Sequence, residues 1–157
     1  MTWKGYKVTR SHEGNIKIAS ATLDMKEGQL TSVQVVFDKS RINLTDLKGG
    51  GKGKLKGHLK SADFFDVADY KTATLNITDV ASRGVVGSYK INGDITIKGI
   101  SKPVKFNVET KDDKMVETIR INRTDFNVKY GSGSFFDNLG DKTIYDEFDI
   151  YVAIVVE

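Results

Sequence analysis

Cysteine is absent from the 157 residues, which removes disulfides, thiolate nucleophiles and cysteine metal sites together. Histidine occurs twice, at His12 and His58, with neither an HxH nor an HExxH spacing, so no metal site is expected. The longest apolar run, 150–156, is far too short to span a bilayer, and stable membrane insertion is not expected. Nothing near the N-terminus has the apolar core of a secretory leader. Neither sign of charge dominates: 24 basic residues face 21 acidic ones, interspersed along the chain. A nucleic-acid partner, which needs a basic stripe, is therefore not expected.

What remains is a globular composition, 39% hydrophobic and 29% charged, that reads as one domain over 1–157. Its dominant signal has period two. In GSYKINGDITIKG, residues Tyr89, Ile91, Ile95 and Ile97 share one face, while Lys90, Asn92, Asp94, Thr96 and Lys98 share the other. Gly93 lies on the dry face, where it marks a bend or leaves space beside a ligand. GISKP reads as a hairpin connection, with Pro103 at the start of a strand carrying Val104, Phe106 and Val108. KDDK (111–114) reads as the next turn, before Val116, Ile119 and Ile121.

Upstream, Val33, Val35 and Phe37 alternate, as do Ala73, Leu75 and Ile77. Ile16 and Ile18 alternate and then slip phase to Ala19, Ala21, Leu23 and Met25, which predicts a bulge or break. The last strand places Phe148, Ile150, Val152 and Ile154 on one face. About eight strands with short turns predict an all-β antiparallel meander closed into a barrel, because closure removes exposed edges. Such a barrel fills itself or holds one small ligand.

Helical periodicity is confined to 54–70, where Leu55 and Leu59 stand four apart. DLKGGGKGKLKG (46–57) reads as a flexible loop; it lacks the GxxxxGK[ST] spacing of a phosphate cradle. No GxSxG elbow occurs. His58 lies five residues before Asp63, an acid/base pair if the protein is an enzyme on a lipophilic substrate. Arg123 sits inside an apparent strand, where it needs a carboxylate partner or a route to water. A salt bridge at the rim and contact with a ligand head group are the two readings.

Four stretches together, WKGYKV…SHEGNI (3–16), GHLKSADFFDVADYKTATL (57–75), GSYKINGDITIKGISKPVKF (87–106) and NRTDFNVKYGSGSFFDNLGDKTIYDEFDI (122–150), resemble the YceI-like proteins, bacterial lipocalin-like barrels that bind polyisoprenoids. The resemblance implies an eight-stranded antiparallel barrel with a short helical segment near its mouth. It implies binding rather than catalysis, with no cofactor beyond an isoprenoid quinone or polyprenyl lipid as ligand. It leaves a homodimer open. It implies a periplasmic or secreted protein if a leader was removed, and a cytoplasmic one if Met1 is the native start. This chain has Lys71 where such proteins commonly carry proline.

On this reading the ligand lies among Val35, Phe37, Leu75, Ile91, Ile95, Ile97, Phe106, Val108, Phe126, Phe148, Ile150 and Val152. In GHLKSADFFDVADY (57–70), Leu59 and one of Phe64 and Phe65 point inward while the other packs at the rim. His58, Arg123 and Tyr130 flank the head group, with the lysines of 48–60 nearby. A barrel filled by its own side chains, serving as a protein-interaction module, is the competing expectation.

Overall fold

In the computed structural model, which describes residues 1–27, 29–111 and 114–155, eight antiparallel strands close into one barrel in chain order. They are β1 (Thr2–Lys7), β2 (Arg10–Lys26), β3 (Gln29–Leu44), β4 (Thr72–Ser82), β5 (Ser88–Ile97), β6 (Ile100–Lys111), β7 (Lys114–Asn122) and β8 (Ile144–Val155). Among the described residues one α-helix, α1 (Gly49–Lys60), lies between β3 and β4. The ring closes where β1 pairs with both β2 and β8.

The alternation that predicts the strands also sets their faces. On β5, Ile91, Ile95 and Ile97 are buried while Lys90 and Asp94 are exposed. Ile95 and Ile97 join Val33, Val35, Phe37, Ala73 and Leu75 in one core inside the ring. Gly93 has a different reason from either expectation. A Cβ there would collide with the Asn76 carbonyl, where the β4–β5 register shifts between Ile77 and Asp79, so backbone rather than ligand fills the place.

The expected slip in β2 is present as register shifts, between Asn15 and Lys17 and again between Ile18 and Ser20. Ile18 lies past the last β1–β2 pair, Thr2↔Asn15, and stays half exposed. The side chains of Leu23, Met25 and Ile154, and the 112–113 part of the KDDK turn, lie outside the described residues.

One turn departs from the sequence reading. The β5–β6 hairpin is a two-residue connection, Lys98-Gly99, both at positive φ (52° and 73°), which matches the twist of the flanking strands. Pro103 consequently lies inside β6, opposite Asp94, rather than at its start. It is tolerated because β6 meets β7 over three pairs only, Glu109↔Val116 to Lys111↔Lys114, so no ladder on that side needs the missing N–H. Next along the ring, β1, β7 and β8 are tied by Asp149, which is buried and accepts two bonds from Arg120 (2.8 and 3.1 Å) and one from the Tyr6 hydroxyl (2.6 Å). The Arg120 hydrogen bonds hold the Asp149 carboxyl below the usual carboxylate range.

The helix is the larger correction. It occupies the glycine-rich stretch that reads as a loop, and residues 61–70 form turns instead. Five of its twelve residues are glycine, its first turn has no acidic residue, and no side chain caps its start at Lys48. Local propensity is overridden by packing: Leu59 is buried and Leu55 partly so, against Ile42, Leu44 and Val128. At Gly51 and Gly53 an added Cβ would meet no atom within 4 Å. Gly51→Ala with Gly53→Ala is therefore expected to stabilise α1 by about 1–2 kcal/mol in all, read as slower amide exchange over 49–60.

Candidate functional site

Inside the barrel, at the end covered by α1 and the 61–70 turns, lies an apolar cavity of about 100 Å³. Its walls come from several strands because each contributes alternate residues: Phe37 and Lys39 from β3, Ala73 from β4, Ile95 and Ile97 from β5, Phe148 and Ile150 from β8. Leu59, Phe64 and Phe65 close it from the α1 side, and Met1, Trp3, Ile16, Ile42 and Arg123 complete it. A larger depression of about 490 Å³ lies on the outer wall beside Tyr6, Arg120 and Ser134. It is open and partly polar, so it cannot shield an apolar chain from water.

Both phenylalanines of the FF pair line the cavity, where the sequence reading places only one inward. Their rings meet edge to face at 4.9 Å, and Phe65 continues the stack to Phe148 at 6.3 Å. Phe64 belongs to the cluster beneath α1, whereas Phe65 packs against both that cluster and the barrel core. The turns that place them are held by backbone bonds from Phe64 N–H to the Ser61 carbonyl (3.0 Å) and from Phe65 N–H to the Leu59 carbonyl (3.2 Å).

Of the other residues expected at the ligand, Phe37, Leu59, Ile95, Ile97, Phe148 and Ile150 line the cavity. Val35, Leu75 and Phe126 are buried in the core away from it, and Phe106 and Val152 pack partly buried against that core. Ile91 and Val108 are buried in the wall and also do not reach the cavity. Period two identifies an inward face but not the depth along the strand, and the cavity occupies one end only.

The three rim residues divide. Tyr130 is half exposed, and its ring meets that of His58 at 4.4 Å. His58 also packs on Phe64, and its buried Nε2 has no hydrogen-bond partner. Asp63 is exposed, and among the described residues no hydrogen bond joins it to His58, so the sequence-level acid/base pair is not assembled. Arg123 is not within a strand. β7 ends at Asn122, and Arg123 opens the 3-10 turn Arg123–Phe126, whose start is capped by the Asn122 side chain on Thr124 N–H.

Arg123 is buried (2% exposed), and each of its three nitrogens donates one hydrogen bond to the backbone. Nε donates to Tyr145 O (3.0 Å), Nη1 to Val128 O (2.8 Å) and Nη2 to Ile144 O (2.9 Å). Asp146 lies 3.6 Å from Nη2, and the guanidinium sits over the Phe64 ring at 5.5 Å. Burial lowers its affinity for the proton, and Asp146 opposes that. The geometry is that of a structural clamp holding the closing segment to β8, in place of the head-group contact expected at the rim.

Lys39 was not singled out by the sequence. It is 3% exposed, with Nζ donating to Phe65 O at 2.9 Å, 5.9 Å from the Phe65 ring centre and 6.0 Å from that of Tyr70. Burial, helped by the charge of Lys98, pushes its pKa down to about 8. The signal was available: the inward series Val33, Val35, Phe37 reaches residue 39 at the next step. Among the described residues no group of three His, Cys, Asp or Glu side chains could hold a metal ion.

Comparison with known proteins agrees with this architecture. Residues 1–156 match the YceI-like domain. The chain belongs to the YceI-like domain family. This YceI-like chain is 42% identical over 52 residues to a UPF0312 protein of Vibrio cholerae, 33% of the chain and 27% of that protein. It is 32% identical over 91 residues to one of Vibrio parahaemolyticus, 51% of the chain and 48% of that protein. The matched part thus spans between about a quarter and a half of these relatives. Among solved structures, BcnA of Burkholderia cenocepacia shares the YceI-like fold at TM-score 0.76 and 23% identity, over 99% of this chain and 94% of that one. A polyisoprenoid-binding domain from Saccharophagus degradans, implicated in plant cell wall breakdown, does so at TM-score 0.59 and 15% identity, over 99% and 92%.

Proposed function

We propose that the barrel binds an isoprenoid lipid, a quinone tail or a polyprenyl chain, and serves as its carrier, store or sequestering protein. The observation that carries the reading is the apolar cavity stoppered by Phe64 and Phe65, which stand on turns rather than on a strand. The shared fold of the Saccharophagus degradans polyisoprenoid-binding domain supports it.

The cavity's size defines how binding works. About 100 Å³ is well below the roughly 300–1,000 Å³ of an ordinary ligand pocket, so a long chain enters by displacing the stopper. Unseating a buried phenylalanine costs about 3–5 kcal/mol. A chain burying about 400 Å² of apolar surface contributes about 10 kcal/mol in return. Selectivity between chains differing by one unit is weak on this mechanism, because apolar walls discriminate poorly.

The test is organic extraction and native mass spectrometry of freshly purified protein, followed by uptake of a labelled prenyl quinone. A bound lipid, or stoichiometric uptake that is faster in Phe65→Ala, is expected. Protein that carries no lipid and takes up no quinone overturns the proposal.

A further inference from the structure

We propose that Lys39 is a covalent capture site, whose amine condenses with apolar aldehydes that enter the barrel. The inference rests on the isoprenoid reading for its ligand class, an isoprenoid aldehyde. It rests on the placement of Lys39 for its chemistry.

Lysines on the surface are poor nucleophiles near neutral pH because almost all are protonated, and water competes for any imine they form. Lys39 differs in both respects. Its side chain is buried on the inner face of β3 and borders the cavity together with Phe37, Ala73, Ile95 and Ile97. No carboxylate lies within salt-bridge distance of it among the described residues; its ammonium faces one backbone carbonyl, that of Phe65. Burial disfavours the charged form most, Lys98 adds a like charge nearby, and the more distant carboxylate of Asp66 offsets these only in part. Desolvation in an apolar pocket and a neighbouring cation are the two standard ways of activating an amine as a nucleophile. With its pKa near 8, about three hundredfold more of it is free base at neutral pH than of an ordinary lysine.

The reaction balances without an oxidant or reductant. The Nζ lone pair attacks the aldehyde carbon, and the carbonyl π pair moves to oxygen, which takes a proton to give a carbinolamine. The C–O bond then breaks as C=N forms, and the two amine hydrogens leave with the oxygen as one water. The other cation of the cavity, Arg123, has its bonds directed to Val128, Ile144 and Tyr145, so the aldehyde end has Lys39 as its partner. The Phe65 stopper, whose own carbonyl holds Nζ, then covers the product.

The experiment incubates the wild-type protein with geranial near neutral pH, traps any imine with borohydride, and reads intact mass and peptide maps. One adduct on Lys39 is expected, with none from geraniol. Lys39→Met and Lys39→Arg, each confirmed as folded by its thermal transition, are expected to lose that adduct. Labelling spread over exposed lysines, an adduct that persists in both variants, or no adduct at all overturns the proposal. Quinone uptake by the same wild-type sample separates the two readings. Uptake without an adduct sinks the capture site alone, and loss of both sinks the isoprenoid reading as well.

Discussion

Arg123→Leu is expected to lower the unfolding free energy by about 3–5 kcal/mol, read as a shift of the urea midpoint. The mechanism is the exposure of unmet need rather than the loss of attraction. Three carbonyls, on Val128, Ile144 and Tyr145, would be left facing an apolar side chain, and Asp146 would lose its cation. The Phe64 ring would lose the guanidinium packed on it. Arg123→Lys is expected to recover little, because an ammonium cannot reproduce a planar fork aimed at both chain segments. A loss below about 1 kcal/mol in Arg123→Leu would mean that the carbonyls find water instead.

Lys39→Met is expected to act in the opposite direction and stabilise the protein by about 2 kcal/mol at pH 7. A pKa pushed down from 10.5 to about 8 corresponds to about 3 kcal/mol of penalty on the charged form. Losing the hydrogen bond to the Phe65 carbonyl takes back about 1 kcal/mol. The pH dependence follows. Between about pH 8 and 10.5 the unfolded chain holds a proton on Lys39 that the folded chain has released, so wild-type stability rises with pH across that window. The advantage of the methionine variant is full below pH 8 and fades above it. Tyr6, whose hydroxyl is held protonated by Asp149, opposes this above pH 10, but equally in both proteins. Urea titrations of the pair from pH 6 to 10 give the comparison. A methionine variant that is less stable at pH 7, or a difference that does not change with pH, would contradict the assignment.

The two buried cations show what a sequence of this kind makes legible. Strands, faces and closure follow from alternation, because one methyl-rich face and one charged face have a single solution in a ring. The same rule carried two positions past Phe37 places Lys39 inside, but a lysine after Phe37-Asp38 reads equally well as the wet end of a strand. Arg123 was legible as a residue in need of partners. That these are three carbonyls from the 128 and 144–145 segments depends on how a long connection folds back, which no local pattern encodes. The helix was hidden for a third reason. Glycine propensity argues against it, and only Leu55 and Leu59, seated on Ile42 and Leu44, outweigh that. The FF pair was readable as a closure; that both rings line the cavity required the turn geometry of 61–66.

The short β6–β7 ladder is the ring's weakest fastening. Around most of the circumference neighbouring strands are laced along much of their length, and at the β1–β8–β7 side Asp149 adds a knot of three side-chain bonds. At β6–β7 the ring is fastened by three residue pairs at one end, with Pro103 standing where further lacing would run. Deformation therefore concentrates on that line. Parting that short ladder would enlarge the interior without unravelling any strand.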